Sequence, residues 1–403
     1  MSLLGRLQTV VGAPREAAEP SLHSSLERLR SALERRASTF VQDAPEAAPT
    51  LAEAMPGGAE IPTIHGPTWV VDTCFALDDR HGDHPIRVGF DRDYTHLERL
   101  TNDHRLHGFD PRDALYLDIE ATGLEHGAGT LAFMIGLGYW DGNGVRVRQL
   151  VLRDLDEEKA QLQLLWEALE RHRYLVSFNG KSFDLSVLQS RLVMNRFCTS
   201  KESELKLRPH FDLLHLGRGL YKKIWQDVRL QTLEARVLGF VRQDDVPGRL
   251  APLCFFRWLR EADPRPLAGI ARHNLFDVLS MVSLGGLLAE EARPVGDAGR
   301  RAAVALNLAH TYARKRVPEA ALAVLDELPV LSDFGERVAA HTLGATCARR
   351  ARDVLRQRTH LMAWLTLDPE ADVAKKALAR LERASKVPPP RRRAALATPP
   401  DVT

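Results

Sequence analysis

The chain has 403 residues, of which 44% are hydrophobic and 27% charged, with 55 lysines and arginines against 53 acidic residues. That balance suits a globular protein of two or three domains and excludes a strongly basic surface, so any contact with nucleic acid needs a local patch. Cys74, Cys198, Cys254 and Cys347 form no C-x-x-C pair, which argues against a zinc ribbon or disulfide framework. No apolar run is long enough for a bilayer and the N-terminus lacks an apolar export region, so the expected location is cytoplasmic.

Residues 1–60 read as a largely disordered segment with one helix, opened by a Ser24/Glu27 capping box and followed by the linker APEAAPTLAEAMPGG. Short β-like runs such as Thr68-Trp69-Val70-Val71 mark 61–111 as a small β appendage. The strongest periodicity spans 112–291. ALYLD, TLAFMIGLGYW, VRVRQLVL and YLVSF read as strands, with Asp141-Gly142-Asn143-Gly144 as a hairpin turn. Helical periods cover 157–172, 182 onward, about 229–239 and 266–291. A hairpin leading into alternating helices and strands predicts an α/β layer with a mixed sheet flanked by helices. From 300 to 385 the pattern becomes all-helical, and Leu343-Gly344 follows Leu308-Ala309 at a tetratricopeptide-like period. The tail 386–403, with VPPPRRR, reads as disordered.

The stretch FNGKSFD raises the question of a phosphate-binding loop. That motif requires a glycine five positions before the Gly180-Lys181 pair, and Leu175 stands there inside an apolar strand. The more informative residues are acidic. Asp118 and Glu120 end the strand ALYLD and share one face. Asp184 follows the fourth strand, and His273 and Asp277 stand at i and i+4 in RHNLFDVLSM. Gathered like charges repel unless a cation neutralises them, and an all-oxygen set suits Mg²⁺ or Mn²⁺ over zinc. Two such ions could clamp a phosphodiester, with His273 as the candidate base.

LDIEATGL, SFNGKSFD and HNLFD, in that order, resemble the three exonuclease motifs of the DEDD group of ribonuclease H-like proteins. More narrowly, residues 60–290 resemble the YprB-type ribonuclease H-like family, through DIEATGL, GAGTLAFMIGLGY, FNGKSFD, QTLEARVLGF, DDVPG and HNLFDVLSM. The resemblance implies a ribonuclease H-like fold and cleavage of nucleic acid from a 3′ end, with Asp118, Glu120, Asp184 and Asp277 as ligands of two Mg²⁺ or Mn²⁺ ions. It further implies that Thr122 and Leu124 touch the terminal nucleotide and that Asn179 supports the site. His273 stands four positions before Asp277, where tyrosine-type members carry tyrosine; histidine-type members place histidine five before.

Lys181 is a candidate phosphate contact. Lys201, Lys206, Arg208, Arg218, Lys222, Lys223 and Arg229, interleaved with Tyr221 and Trp225, could hold a single strand while the aromatics stack on bases. Two functions are compatible with the pattern: a single-strand DNA or RNA exonuclease, or a catalytically silent nucleic-acid-binding scaffold. The helical repeats predict a protein partner in either case.

Overall fold

The computed structural model describes residues 48–101, 103–123, 129–198, 204–296 and 299–385; the helix expected at Ser24 and the tail after 385 lie outside them. Seven strands form one mixed sheet: β1 (Gly58–Thr63), β2 (Gly66–Ala76), β3 (Ala114–Ala121), β4 (Ala132–Trp140), β5 (Gly144–Val151), β6 (Tyr174–Ser177) and β7 (His210–Asp212). Their order is β1-β2-β5-β4-β3-β6-β7. Neighbours from β1 to β3 run antiparallel, whereas β6 and β7 are parallel to β3.

The β4–β5 hairpin turns where expected. Asp141 Oδ1 accepts from the amides of Asn143 and Gly144, each at 3.1 Å, and Gly142 takes the positive φ of 102° that the turn needs. The β1–β2 hairpin, expected within a separate appendage, is continuous with the main sheet: Asp72 stands opposite Arg148 across β2 and β5. Their side chains form a bidentate pair at 2.9 and 2.7 Å. The presumed linker is also partly ordered, since Thr50 and Glu53 form a capping box that starts a helical turn at Leu51. Sequence reading missed β7, because three residues between a proline and a helix carry no visible alternation.

Helices cover both faces. Leu115, Leu117 and Ile119 of β3 point toward α1 (Glu158–Arg171) and α2 (Asp184–Met194), joining Leu162, Leu165 and Leu188 in one core. The residues between them face the other way, toward α3 (Leu213–Tyr221), α4 (Ala251–Glu261) and α5 (Arg265–Glu291). Five more helices follow: α6 (Ala302–Arg314), α7 (Pro318–Asp326), α8 (Phe334–Ala351), α9 (Val354–Leu367) and α10 (Asp372–Ser385). They do not stand apart from the sheet domain. Asn307 Nδ2 donates to the carbonyl of Leu220 at 2.9 Å, and Tyr312 OH donates to that of Ala292 at 2.8 Å. Val304 and Leu308 are fully buried in the core that also holds Tyr116 and Val282, a contribution of roughly 1.5–3 kcal/mol each.

Helix α5 lies in close contact with β4. Gly136 is the register partner of Asp118, and Gly138 that of Tyr116. A Cβ at 136 would lie 2.3 Å from Asn274 Oδ1, and one at 138 would lie 2.6 Å from Val278 Cγ1. The missing side chains let the helix settle onto the sheet beside Asp118. Gly138→Val should therefore destabilise the protein by about 1–3 kcal/mol through overpacking, read as a lower urea midpoint at unchanged m-value. Wild-type stability in that variant would mean that α5 tolerates displacement from the sheet.

Candidate active site

The carboxyl ends of β3, β6 and β7 lie side by side, the usual crevice for ligands in parallel sheets. Strand β3 brings Asp118 and Glu120 to this edge on the face that α5 covers. The loop after β6 delivers Asp184 at the first turn of α2, and α5 delivers His273 and Asp277. Ligand atoms of Glu120, His273 and Asp277 lie within 4.8 Å of one another, and His273 Nε2 is 3.5 Å from Asp277 Oδ2. Glu120 and Asp184 are each 7% exposed.

Burial of so many acids together is electrostatically costly. Burial first, then the charges of Asp277, Asp184 and Glu120, pushes the Asp118 carboxyl well above its ordinary range, against the opposing hydrogen bond from Asn274. Glu120 is raised by burial and by Asp277, Asp184 and Asp245, with Arg242 opposing. Asp184 is pushed up to about 8 by burial, then by Asp212 and Asp277. The oxygen-rich donor set fits a hard divalent cation, which would relieve this repulsion.

Four supporting residues were missed in the sequence. Asn274 donates to Asp118 Oδ2 at 2.9 Å and accepts from Gln149 Nε2 at 2.9 Å, which fixes its amide orientation. Asp212 accepts from the amides of Asn179, Lys181 and Leu214 at 2.9, 3.2 and 3.1 Å. It thereby holds the loop in which Asn179 adopts a φ of 68°, and that loop leads to Asp184. Arg242, 4% exposed at its side chain, is ion-paired with Glu234 and Asp277. Asp245 lies 2.9 Å from His273 Nδ1. The available signals were the Asn inside HNLFD and the charged run RQDDVPG; neither has a spacing that names its partner.

A cleft of about 770 Å³ runs from Asp118, His273 and Asp277 past Phe178 and Asn179 to Arg218, Lys222 and Arg229. Of the expected basic patch, these three line the cleft. Arg208 instead donates to the carbonyl of His172 at 3.0 Å, and Lys201 lies outside the described residues. Base stacking on Tyr221 and Trp225 does not fit. Tyr221 is buried and stacks on Trp225 at 4.0 Å and 11°, and the guanidiniums of Arg236 and Arg301 stand 5.3 and 6.0 Å from the Trp225 ring. Trp225 therefore offers the cleft an edge, not a free face. Lys181 is exposed and is absent from the cleft lining. Thr122 is bridged to Leu131, its hydroxyl accepting from that amide at 3.0 Å; Leu124 lies outside the described residues.

Among the described residues no helix is long and apolar enough to cross a membrane. Residues 115–289 match the model of the RNase_H superfamily. The "Uncharacterized protein YprB" of Bacillus subtilis (strain 168) is 36% identical to this chain over 177 residues, which is 44% of this chain and 42% of that protein. The chain thus spans less than half the length of the relative it matches. Sheet order and the match to the superfamily model agree that residues 115–289 have a ribonuclease H-like fold, and their sequence is similar to that of YprB.

Proposed function

We propose that this protein is a metal-dependent nuclease, a 3′–5′ exonuclease on single-stranded DNA or RNA. The observation that carries the reading is the convergence of Asp118, Glu120, Asp184 and Asp277 with His273 at the head of a cleft lined by Arg218, Lys222 and Arg229. The four carboxylates hold two Mg²⁺ or Mn²⁺ ions, which supply charge neutralisation and water activation when bound. His273 accepts the proton of the attacking water. Arg218 and Lys222 hold phosphates of the strand, a sequence-independent contact. Thr122 and Leu124 touch the terminal nucleotide, and Asn179 shapes the loop before Asp184. The helices from Ala302 onward act as a tetratricopeptide-like surface for a protein partner, with Val354, Leu355, Met362 and Val373 exposed on it.

The raised carboxyls make metal binding visible without any substrate. A group whose folded-state pKa exceeds its unfolded value stabilises the fold at low pH, and that stability is lost as pH rises through the folded value. For Asp184 the window runs from the ordinary carboxylate range up to about 8. In chelator, thermal stability should fall between about pH 5 and 8, and Mg²⁺ or Mn²⁺ should flatten or reverse the slope. A profile that metal leaves unchanged would remove the case for a metal centre.

Purified protein should shorten a 5′-labelled single-stranded oligonucleotide stepwise in Mg²⁺ or Mn²⁺ and stop in chelator. Asp118→Ala should cost about 4 kcal/mol of transition-state stabilisation, roughly 10³-fold in rate. Cuts within a circular single strand would reassign the mode to endonuclease. Binding without turnover in either metal would favour the silent scaffold, and full activity in Asp118→Ala would refute the site.

A further inference from the structure

The segment DDVPG, from Asp244 to Gly248, has no part in the ligand set, yet it packs against His273. Both carboxylate oxygens of Asp245 lie 2.9 Å from His273 Nδ1. Resting on the hydrolytic reading above, we propose that Asp245 is a positioning residue that fixes His273 with its proton on Nδ1 and the Nε2 lone pair facing the acidic cluster.

Donors and acceptors around the ring decide where its proton sits. An ionised carboxylate only accepts, so the nitrogen it faces must carry the hydrogen. Arg242 Nη1 also lies 3.2 Å from Nδ1, which would suggest the opposite tautomer if it were the stronger partner. But Arg242 cannot give up a proton, and the same Nη1 faces Asp245 Oδ2 at 3.5 Å. The two donors therefore share one carboxylate, and the shorter pair of contacts decides the tautomer. Gln231 Nε2 adds a third donor to Asp245 Oδ2 at 3.2 Å. His273 and the Asp245 side chain are 8% and 12% exposed, so water competes little for these bonds. On the other edge of the ring, Nε2 is 3.5 Å from Asp277 Oδ2, longer than a good hydrogen bond, and Asp277 is paired with Arg242, so the two 2.9 Å contacts to Asp245 hold the ring proton. A Cβ at position 248 would crowd Nε2 at 3.2 Å. Gly248 leaves that edge open toward the cleft. An imidazole so held presents an acceptor at the reacting side in every molecule, with no fraction idle in the wrong tautomer.

The environment of Asp245 makes the asparagine variant informative. In Asp245→Asn the amide oxygen would turn to Arg242 and Gln231, which can only donate through those groups, and the NH₂ would face Nδ1. His273 should then carry its proton on Nε2. We expect ¹⁵N-histidine spectra of the metal-free protein, assigned with His273→Gln, to show the Nδ1–H form in wild type. They should show the Nε2–H form in Asp245→Asn and a mixture in Asp245→Ala. On the oligonucleotide substrate kcat should fall roughly 10²-fold or more in Asp245→Asn, with KM unchanged. Nε2–H in wild type, or an unchanged tautomer in both variants, overturns the assignment. An inverted tautomer at wild-type kcat overturns its role in turnover. A protein without any hydrolysis would sink the nuclease reading, while the spectra would still decide what Asp245 does to His273.

Discussion

The site depends on how closely α5 can lie against the sheet. Where the helix crosses β4 the strand has glycines at 136 and 138, and a single added carbon at either would overlap Asn274 or Val278. Because Gly136 is the register partner of Asp118, the space left empty on β4 is the space through which Asn274 reaches the Asp118 carboxylate on β3. One turn of helix then carries His273, Asn274 and Asp277 to the same strand end. A bulkier strand would hold α5 away, and the residues that meet Asp118 and Glu120 would arrive too far off to share an ion with them.

Closeness has an electrostatic cost. Asp118, Glu120 and Asp184 are all raised by burial and by neighbouring carboxylates, Asp277 among them in each case, so the metal-free fold keeps protons that free carboxylates would release. Arg242 offsets part of this, pairing with Asp277 and Glu234 while almost wholly buried. A buried guanidinium is tolerated only when its donors are satisfied. Here Glu234 is itself tied down by Ser280, whose hydroxyl donates at 2.6 Å, and Ser280 in turn meets His81 Nε2 at 2.7 Å. The chain of polar contacts thus runs from His81, in a two-stranded pairing of Arg80–His81 with His84–Pro85, to Asp277, and each member fixes the next.

The C-terminal helices reach the cleft through α3. Asn307 and Thr311 of α6 donate to the carbonyls of Leu220 and Gly219, at 2.9 and 3.1 Å. Arg218 and Lys222, on the same short stretch, line the cleft. Tyr221 closes the connection by donating to Glu291 Oε2 at 2.7 Å at the end of α5. One helix therefore presents cations to one side and its carbonyls to the helical region on the other.

The sequence by itself determined much of this protein: the α/β layering, the β4–β5 hairpin and the long α5. These features are local, since alternation, helical period and a turn side chain are set by neighbours in the chain. What only the tertiary structure decided has partners far apart in sequence. Asp212 holds a loop 33 residues away from it, Asp245 meets a histidine 28 residues on, and the β1–β2 hairpin joins β5 instead of standing alone. The same holds for the aromatics read as base-stacking platforms, because Tyr221 and Trp225 spend their faces on each other and on arginines. A side chain's chemical type is written in the sequence; whether it is free to use that chemistry depends on which neighbours the fold brings against it.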